Sequence, residues 1–408
     1  MIRIRPALHF TPRAGWINDP HGVVFAGGRY HLFYQYNPVG TAWKSAVTWG
    51  HATSRDLISW TEQPIALAPD PGEVGCWSGA VVPDPPTLFY TRIVPGDPAH
   101  GQIARAVGVP DRSSWQRDPA GSVIATPPAG VVEFRDPVVW RSGDGWRMLV
   151  GGRLAEGGGA AVQYRSPDLT AWSYDGVVAS FADAVPAMWE CPQLFPLDGT
   201  WVLMASVLHD GLPHSVAYAL GDYDGRRFTA RTRGRFAHGD QMYATTTFTD
   251  ADGRRCAMSW LRERDNEAPP GSPWAGAISI PWVLRVDGDS LVAAPHPNLA
   301  AAAGPALALT LDGTGAVRVG DLTVRLNRSV TIENGGAPLL EMDRGTGPVW
   351  LLADADLIEV VAAGVSGIGT ARCPVDPAAD VRVEGPATVE TTRFAAKPNG
   401  QSRRHAST

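Results

Sequence analysis

The chain reads Asn18-Asp19-Pro20-His21-Gly22-Val23-Val24-Phe25 near its start: an acid and a proline, a short apolar run, then a glycine turn and an aromatic-rich run. Similar units begin at Arg135-Asp136-Pro137 and Glu190-Cys191-Pro192. Two more units begin without the acid, at Trp77-Ser78-Gly79 and Tyr243-Ala244-Thr245. The anchors of the five units fall at positions 19, 78, 136, 190 and 244, so one strand-turn-strand unit recurs along the chain.

Five units of one supersecondary type are typical of a radial array of small sheets. The predicted fold class is all-β, a five-bladed β-propeller followed by a small C-terminal β-sandwich. A second pattern runs in phase with the first, an aspartate a few residues before an aromatic, as in Asp56/Trp60, Asp111/Trp115, Asp168/Trp172 and Asp224/Phe228. Because the acids occupy one position in their blades, closure of the ring would bring Asp19, Asp136 and Glu190 together.

The repeat of strand-turn-strand units ends near Pro295, and the small residues of 298–305 indicate a linker or one short helical turn. Plain alternating strands separated by Gly and Asp turns follow, which is typical of a small sandwich. The predicted domains are a propeller over residues 1–297, a sandwich over 306–396 and a disordered polar tail over 397–408. Asp356 and Glu359 are interpreted as ordinary solvated positions of the sandwich.

Composition and charge indicate which class of ligand the protein binds. Charged residues make up 19% of the 408 residues, the formal net charge is −6, and no basic stripe indicates nucleic-acid binding. A neutral or small polar ligand is expected, without metal or cofactor, since neither zinc-ligand spacing nor a phosphate-binding glycine loop is present.

Features of the N-terminus and the cysteines point to one compartment. The N-terminus has no apolar segment typical of a secretory signal, and no run approaches the roughly 20 apolar residues of a membrane span. The four scattered cysteines are interpreted as reduced and mostly buried, so a cytoplasmic protein is predicted. Oligomeric state is left open.

The three acids have the pairing that glycosidic-bond cleavage commonly uses, one carboxyl group as proton donor and another as nucleophile. Asp19, next to Asn18, is expected to be ionised, whereas apolar neighbours are expected to desolvate Glu190 as an acid requires. The charge of Arg135 is expected to keep Asp136 ionised. Single Asp-Pro pairs commonly open strands for backbone reasons, but three acids in phase with the repeat favour a catalytic site.

The segment from Trp16 to Gly22 resembles the signature of glycoside hydrolase family 32, which contains invertases, inulinases and levanases. Further motifs follow in the family's order and extend the resemblance over about residues 8–297: Phe33-Tyr-Gln-Tyr-Asn-Pro38, Trp49-Gly-His51, Trp77-Ser-Gly79, Phe134-Arg-Asp-Pro137, Glu190-Cys-Pro192 and Trp274-Ala-Gly-Ala-Ile-Ser-Ile-Pro281. The family's fold, a five-bladed propeller followed by a sandwich, agrees with the repeat count.

The resemblance implies that Asp19 is the nucleophile, Glu190 the general acid/base and Asp136 the transition-state stabiliser, with retention of anomeric configuration. It also implies that the fructosyl unit is held by Asn18, Gln35, Trp43, Ser78 and Arg135. Further candidates for the pocket wall are Trp16, Trp77, Tyr243, Trp260 and Trp274. Two residues depart from the family pattern: His21 stands where Asn is usual, and Gln193 where Asp is common.

The function predicted is that of an exo-acting, retaining β-fructofuranosidase that hydrolyses sucrose or short fructo-oligosaccharides. Its expected partner is this small carbohydrate substrate, with no nucleic acid and no membrane. Three alternatives stay open at this point. They are a fructosyltransferase on the same scaffold, a related propeller arabinofuranosidase and a non-catalytic sugar-binding propeller.

Overall fold

The computed structural model describes residues 3–96, 99–143, 145–181, 187–264 and 267–394. This part of the chain is all-β, as predicted, and its strands form seven sheets. The predicted C-terminal tail lies outside the described residues. In the part that is described, no helix has the length and apolar character needed to cross a bilayer.

Each of the first four sheets contains a four-stranded antiparallel meander built from one sequence unit. The first contains β1 (Gly15–Ala26), β2 (Arg29–Asn37), β3 (Thr48–Ser54) and β4 (Trp60–Leu67). The second contains β5 (Gly75–Val82), β6 (Thr87–Ile93), β7 (Gln102–Gly108) and β8 (Trp115–Ile124). The third contains β9 (Val131–Ser142), β10 (Gly145–Leu154), β11 (Gly159–Ser166) and β12 (Ser173–Phe181). The fourth contains β13 (Ala187–Leu197), β14 (Thr200–His209), β15 (Leu212–Tyr223) and β16 (Phe228–Arg235).

The fifth sheet is less regular, because short strands interrupt it. After β17 (Ala237–His238) it contains β18 (Met242–Thr249), β19 (Arg255–Leu261), β21 (Ala277–Ile278), β22 (Trp282–Asp287) and β23 (Ser290–Pro295). The intervening β20 (Trp274–Ala275) leaves this sheet and pairs in parallel with β1, with Trp274 opposite Gly15. The segment that closes the fifth unit therefore connects it to the first.

The first strands of the five units lie next to one another. β1 contacts β5, β5 contacts β9, β9 contacts β13, β13 contacts β18, and β18 contacts β1. These five strands are the ones that carry the anchors of the sequence repeat.

Every one of these strands has a register break at its anchor. The pairing shifts between Ile17 and Pro20 in β1, between Trp77 and Gly79 in β5, and between Glu190 and Gln193 in β13. In β9 the break lies opposite the Leu149/Gly151 step, and in β18 it lies between Tyr243 and Thr246. A bulge bends a strand and changes the direction of the side chain at that point. The anchor residues of the sequence repeat therefore lie where side chains no longer alternate regularly between the two faces of the strand.

The second sequence pattern marks the turn before the fourth strand in each of the first four units. Asp56, Asp168 and Asp224 each accept two backbone N–H groups, two and three residues further on. Asp111 accepts the N–H of Ser113 in the same way. These aspartate side chains form Asx turns, in which the carboxylate accepts hydrogen bonds from backbone N–H groups that follow it. They have no part in the site.

Two larger sheets form the C-terminal part and share one apolar core. In addition to β17, their strands are β24 (Ala306–Asp312), β25 (Gly315–Val319), β26 (Leu322–Leu326), β27 (Ser329–Asn334), β28 (Ala337–Asp343), β29 (Val349–Asp354), β30 (Leu357–Ala362), β31 (Ile368–Arg372), β32 (Val381–Glu384) and β33 (Thr388–Arg393). One sheet has the order β17-β31-β30-β29-β24-β33 and the other the order β28-β27-β26-β25-β32. A short 3-10 helix, Pro297–Ala301, occupies the predicted linker.

A buried polar cluster joins the two parts of the chain and corrects one expectation. Glu359 is fully buried, not solvated, and it accepts hydrogen bonds from the Ile280 N–H and the Trp282 indole N–H at 2.9 and 2.8 Å. His9 lies between Glu359 and Asp354, with its ring nitrogens 2.8 Å from each carboxylate. Asp356 is partly exposed and pairs with Arg372 at 2.9 Å.

Candidate active site

A cavity of about 460 Å³ opens where the first strands of the five units meet, and all three candidate acids line it. This volume is within the usual range for small-molecule sites. Its lining consists of Trp16, Asn18, Asp19, Gln35, Trp43, Trp77, Glu133, Arg135, Asp136, Glu190, Leu208, Gly211, Leu212, Pro213, Tyr243 and Trp260. The acids come from β1, β9 and β13, so three separate sheets contribute one carboxyl group each.

Asp19 is held by three polar side chains. Asn18 Nδ2 donates to Asp19 Oδ1 at 2.9 Å, Ser78 Oγ donates to Oδ2 at 2.7 Å, and Gln35 Nε2 lies 3.4 Å from Oδ2. Trp16 Nε1 donates to the Asn18 side-chain oxygen at 3.1 Å and so fixes the orientation of that amide. These hydrogen bonds fix the orientation of the Asp19 carboxylate, which lines the cavity.

Asp136 is almost fully buried and adopts a left-handed backbone conformation, with a φ of 62°. Its own N–H donates to Thr91 Oγ1 at 2.8 Å, and its Oδ2 accepts the Cys191 N–H at 3.1 Å. Because Cys191 lies in the register break of β13, one bulge supplies the donor for the acid of the neighbouring sheet. The Cys191 Sγ atom lies between two acids, 3.6 Å from Asp136 Oδ2 and 3.9 Å from Asp19 Oδ2.

Glu190 is bound on both oxygens. The Arg135 guanidinium approaches Oε1 at 2.8 Å through both Nε and Nη2, and the Tyr243 hydroxyl donates to Oε2 at 2.7 Å. Burial and the charge of Glu190 raise the pKa of Tyr243 well above its ordinary value, so Tyr243 stays a donor. These contacts orient Glu190 towards the cavity from two sides.

Burial and neighbouring charge raise the pKa of both aspartates. Burial raises the pKa of Asp19, and the charge of Glu190 raises it further. The same two causes, in the same order, raise the pKa of Asp136, and the Arg135 charge does not reverse that shift. The expectation that Arg135 keeps Asp136 ionised is therefore wrong, because burial and the charge of Glu190 outweigh the effect of the guanidinium.

The structure brings together most of the residues that the sequence predicted. Trp16, Asn18, Gln35, Trp43, Trp77, Arg135, Tyr243 and Trp260 line the cavity with the three acids, and Ser78 lies directly behind Asp19. Trp274 is outside the described lining, because its ring is buried beneath the Arg3 guanidinium, 3.8 Å from the ring centre, and its backbone pairs with β1. Its expected place in the pocket wall is corrected to a place between the first and fifth sheets.

Residues 9–295 match the sequence model of the glycosyl hydrolases family 32 N-terminal domain, which is most of the chain. The chain belongs to glycoside hydrolase family 32. The sucrose-6-phosphate hydrolase of Escherichia coli is 35% identical over 309 residues, which cover 71% of this chain and 64% of that enzyme. The raffinose invertase of Escherichia coli is 34% identical over 293 residues, which cover 68% of this chain and 61% of that enzyme. The chain therefore spans less than two thirds of the length of these relatives.

Solved structures of the family resemble the whole chain. The β-fructofuranosidase of Bombyx mori is 26% identical and superposes with a TM-score of 0.83, covering 96% of this chain and 94% of that one. The fructan 1-exohydrolase IIa of Cichorium intybus superposes with a TM-score of 0.81 over 97% of this chain and 99% of that one, at 23% identity. The second likeness supports the fold alone.

The sequence did not identify one side of this family 32 cavity. Glu133 lies two residues before the Arg135 motif, and the alternation of a strand could have indicated it. Leu208, Gly211, Leu212 and Pro213 come from the hairpin between β14 and β15, whose Asp210-Gly211 turn marks a loop without showing where it points.

The two departures from the family pattern lie behind the cavity. His21 is buried against Trp49, with ring centres 3.9 Å apart, and burial lowers its pKa to about 3. Gln193 accepts hydrogen bonds from Thr247 N–H and Oγ1 at 3.1 Å and so connects the fourth and fifth sheets. Both residues act through packing and backbone contacts, and neither lines the described cavity.

Proposed function

We propose that this chain is a retaining, exo-acting glycosidase that releases terminal β-D-fructofuranosyl units from sucrose or short fructo-oligosaccharides. The observation that carries the proposal is the meeting of Asp19, Asp136 and Glu190 in one cavity, each at a register break of its strand. The names of the family relatives, sucrose-6-phosphate hydrolase, invertase and β-fructofuranosidase, support the same substrate class.

The scaffold we propose is a five-bladed β-propeller over residues 1–297 with a β-sandwich over 306–396. Two observations support this scaffold. The first strand of each unit contacts the first strand of the next unit, with the fifth contacting the first, and β20 pairs with β1. The solved family 32 structures that superpose on the chain support the same architecture.

In the proposed mechanism Asp19 attacks the anomeric carbon while Glu190 protonates the leaving oxygen. Three donors to the Asp19 carboxylate favour its charged form, whereas Asp136 receives one N–H and is deeply buried. The Glu190 carboxyl group gives its proton to the leaving oxygen as the Asp19 carboxylate bonds to the anomeric carbon. The Glu190 carboxylate then takes a proton from the water that displaces Asp19, and Asp136 binds sugar hydroxyls and stabilises the transition state.

The cavity wall also fits a sugar ring. Trp16 and Trp260 pack edge to face, with ring centres 5.6 Å apart. The Trp260 indole N–H is buried and has no hydrogen-bond partner among the described residues. A buried donor at the wall can bind a sugar hydroxyl, while the aromatic faces cover the apolar side of the ring. A small carbohydrate is therefore the proposed partner.

The proposed location is the cytoplasm. The free thiols of all four cysteines agree with it, because disulfides are rare in cytosolic proteins.

One assay tests the proposal. Purified protein is incubated with sucrose, inulin and levan, and products are separated at early time points. Free fructose released from the first minutes supports exo-hydrolysis, whereas early tri- to pentasaccharides with little fructose would contradict it. Longer oligosaccharides at high sucrose would indicate a transferase, and turnover of aryl arabinofuranosides without fructosides would indicate the related arabinofuranosidase activity.

A further inference from the structure

We infer that the leaving-group side of this cavity selects an uncharged leaving group and discriminates against a phosphorylated one. Sucrose, rather than sucrose 6-phosphate, would then be the disaccharide substrate. This inference rests on the proposed function and makes its substrate class specific, since the family relatives include enzymes named for either sugar.

The first observation is the charge of the lining. Among the described residues that line the cavity, Arg135 is the one cation, while Asp19, Glu133, Asp136 and Glu190 are acids. The Arg135 guanidinium is already bound to Glu190 at 2.8 Å through Nε and Nη2. Acidic side chains therefore outnumber the one guanidinium in the lining. A phosphate dianion would enter a site with no spare positive group, and burying it without one is costly.

The second observation concerns two arginines that contact residues of the cavity lining and are bound there by other groups. Arg153 pairs with Glu133 at 3.2 Å, and Arg262 donates to the Pro213 carbonyl at 2.8 Å. Lys44 is exposed next to Trp43, but its side chain is outside the described lining. Binding a phosphate would require one of these contacts to break or a surface side chain to fold inwards.

The third observation is the apolar character of the mouth. Trp43 is 48% exposed and Leu212 is 63% exposed, although both line the cavity. Trp43 packs edge to face on Trp77, with ring centres 5.9 Å apart, so its ring is held in place. Exposed apolar side chains at a binding site favour the flat face of an uncharged sugar over a strongly hydrated anion.

The test compares kcat/KM for sucrose and for sucrose 6-phosphate at low and high salt. The wild-type chain is expected to prefer sucrose by at least about tenfold, which corresponds to about 1.4 kcal/mol. Equal or better turnover of the phosphorylated sugar overturns this inference and leaves the proposed function intact. Turnover of neither sugar overturns this inference, and if no fructose is released from short fructo-oligosaccharides either, the proposed function is refuted with it.

A pair of variants tests the electrostatic cause. Leu212→Arg places a cation on an exposed hairpin position, and Leu212→Gln is the matched uncharged control. The Arg variant is expected to gain kcat/KM for sucrose 6-phosphate several-fold, with the gain reduced by salt, and the Gln variant is not. An equal gain in both variants would contradict the role of charge.

Discussion

At the scale of single residues, the site is organised by contacts that cross between sheets. Arg135 and Asp136 are neighbours in sequence, but neighbouring side chains on a strand diverge. The Arg135 guanidinium reaches Glu190 on the next sheet, and Asp136 turns towards Thr91 and Cys191. The sequence predicted which residues meet, but it could not predict this pairing, because the pairing depends on the bulge geometry.

Asp136 is predicted to reduce the stability of the fold at neutral pH. Its pKa is raised above the ordinary 3.8 by burial and by Glu190, so the folded state binds the proton more tightly than the unfolded state. Stability is therefore lost as pH rises above 3.8. Asp136→Asn should raise the free energy of unfolding at pH 7 by about 1 kcal/mol or more, since one pKa unit is worth about 1.4 kcal/mol.

Urea unfolding of the Asp136→Asn variant at pH 4 and pH 7 measures this effect, and catalytic activity should fall by orders of magnitude at the same time. The gain in stability should shrink at pH 4, where wild-type Asp136 is protonated. An Asn variant that is less stable than wild type at pH 7 would show that the ionised carboxylate stabilises the fold.

At the scale of elements, the candidate site forms where the first strands of the five units meet, and each of these strands has a register break there. The sequence repeat located all five anchors, because the acid-proline units and their counterparts recur at fixed positions. The aspartate pattern located the turns for the same reason. The β14–β15 hairpin at the mouth was missed, because a turn signal such as Asp210-Gly211 does not indicate the direction of a loop.

Thr91 in β6 connects two of these breaks. Its Oγ1 accepts the Asp136 N–H at 2.8 Å and donates to the Ser78 carbonyl at 2.9 Å, and the residue is fully buried. Thr91→Val keeps the shape but leaves the Asp136 N–H unpaired, so the free energy of unfolding should fall by about 1–3 kcal/mol. The rate constant kcat should fall more than KM rises.

Thermal unfolding and sucrose kinetics on Thr91→Val and Thr91→Ser measure this prediction, and Ser retains the hydroxyl as the matched control. Wild-type kcat in the Val variant would show that Thr91 does not position Asp136.

At the scale of the whole molecule, His9 connects the N-terminal segment to both parts of the chain through Asp354 and Glu359. More than three hundred residues separate these partners in sequence, so local patterns could not reveal the cluster. Burial alone lowers the pKa of His9, but the hydrogen bonds and charges of Asp354 and Glu359 outweigh it and raise the pKa to about 9.

The raised pKa of His9 predicts a pH dependence of stability. Its contribution is fully present below the unfolded value of 6.5 and is lost as pH rises through about 9. His9→Gln should lower the free energy of unfolding near pH 6 by about 3–5 kcal/mol, the usual cost of breaking a buried ion pair.

Melting temperatures between pH 6 and pH 10 measure this loss. Arg13→Gln, which removes an exposed charge paired with Glu62, is the control and should have little effect. A His9→Gln variant with the same alkaline decline as wild type would exclude His9 as its source.

The central claim is that Asp19 forms a covalent bond to the fructosyl unit while Glu190 serves as acid and base. The most direct measurement is peptide mass mapping of Glu190→Gln after brief reaction with an activated aryl β-fructofuranoside. The activated leaving group needs little protonation, whereas hydrolysis of the intermediate needs the missing base. A fructosyl adduct on the peptide that contains Asp19, absent in the Asp19→Asn double variant, is the predicted result. An adduct on Asp136, or none together with release of fructose of inverted configuration, would contradict the account.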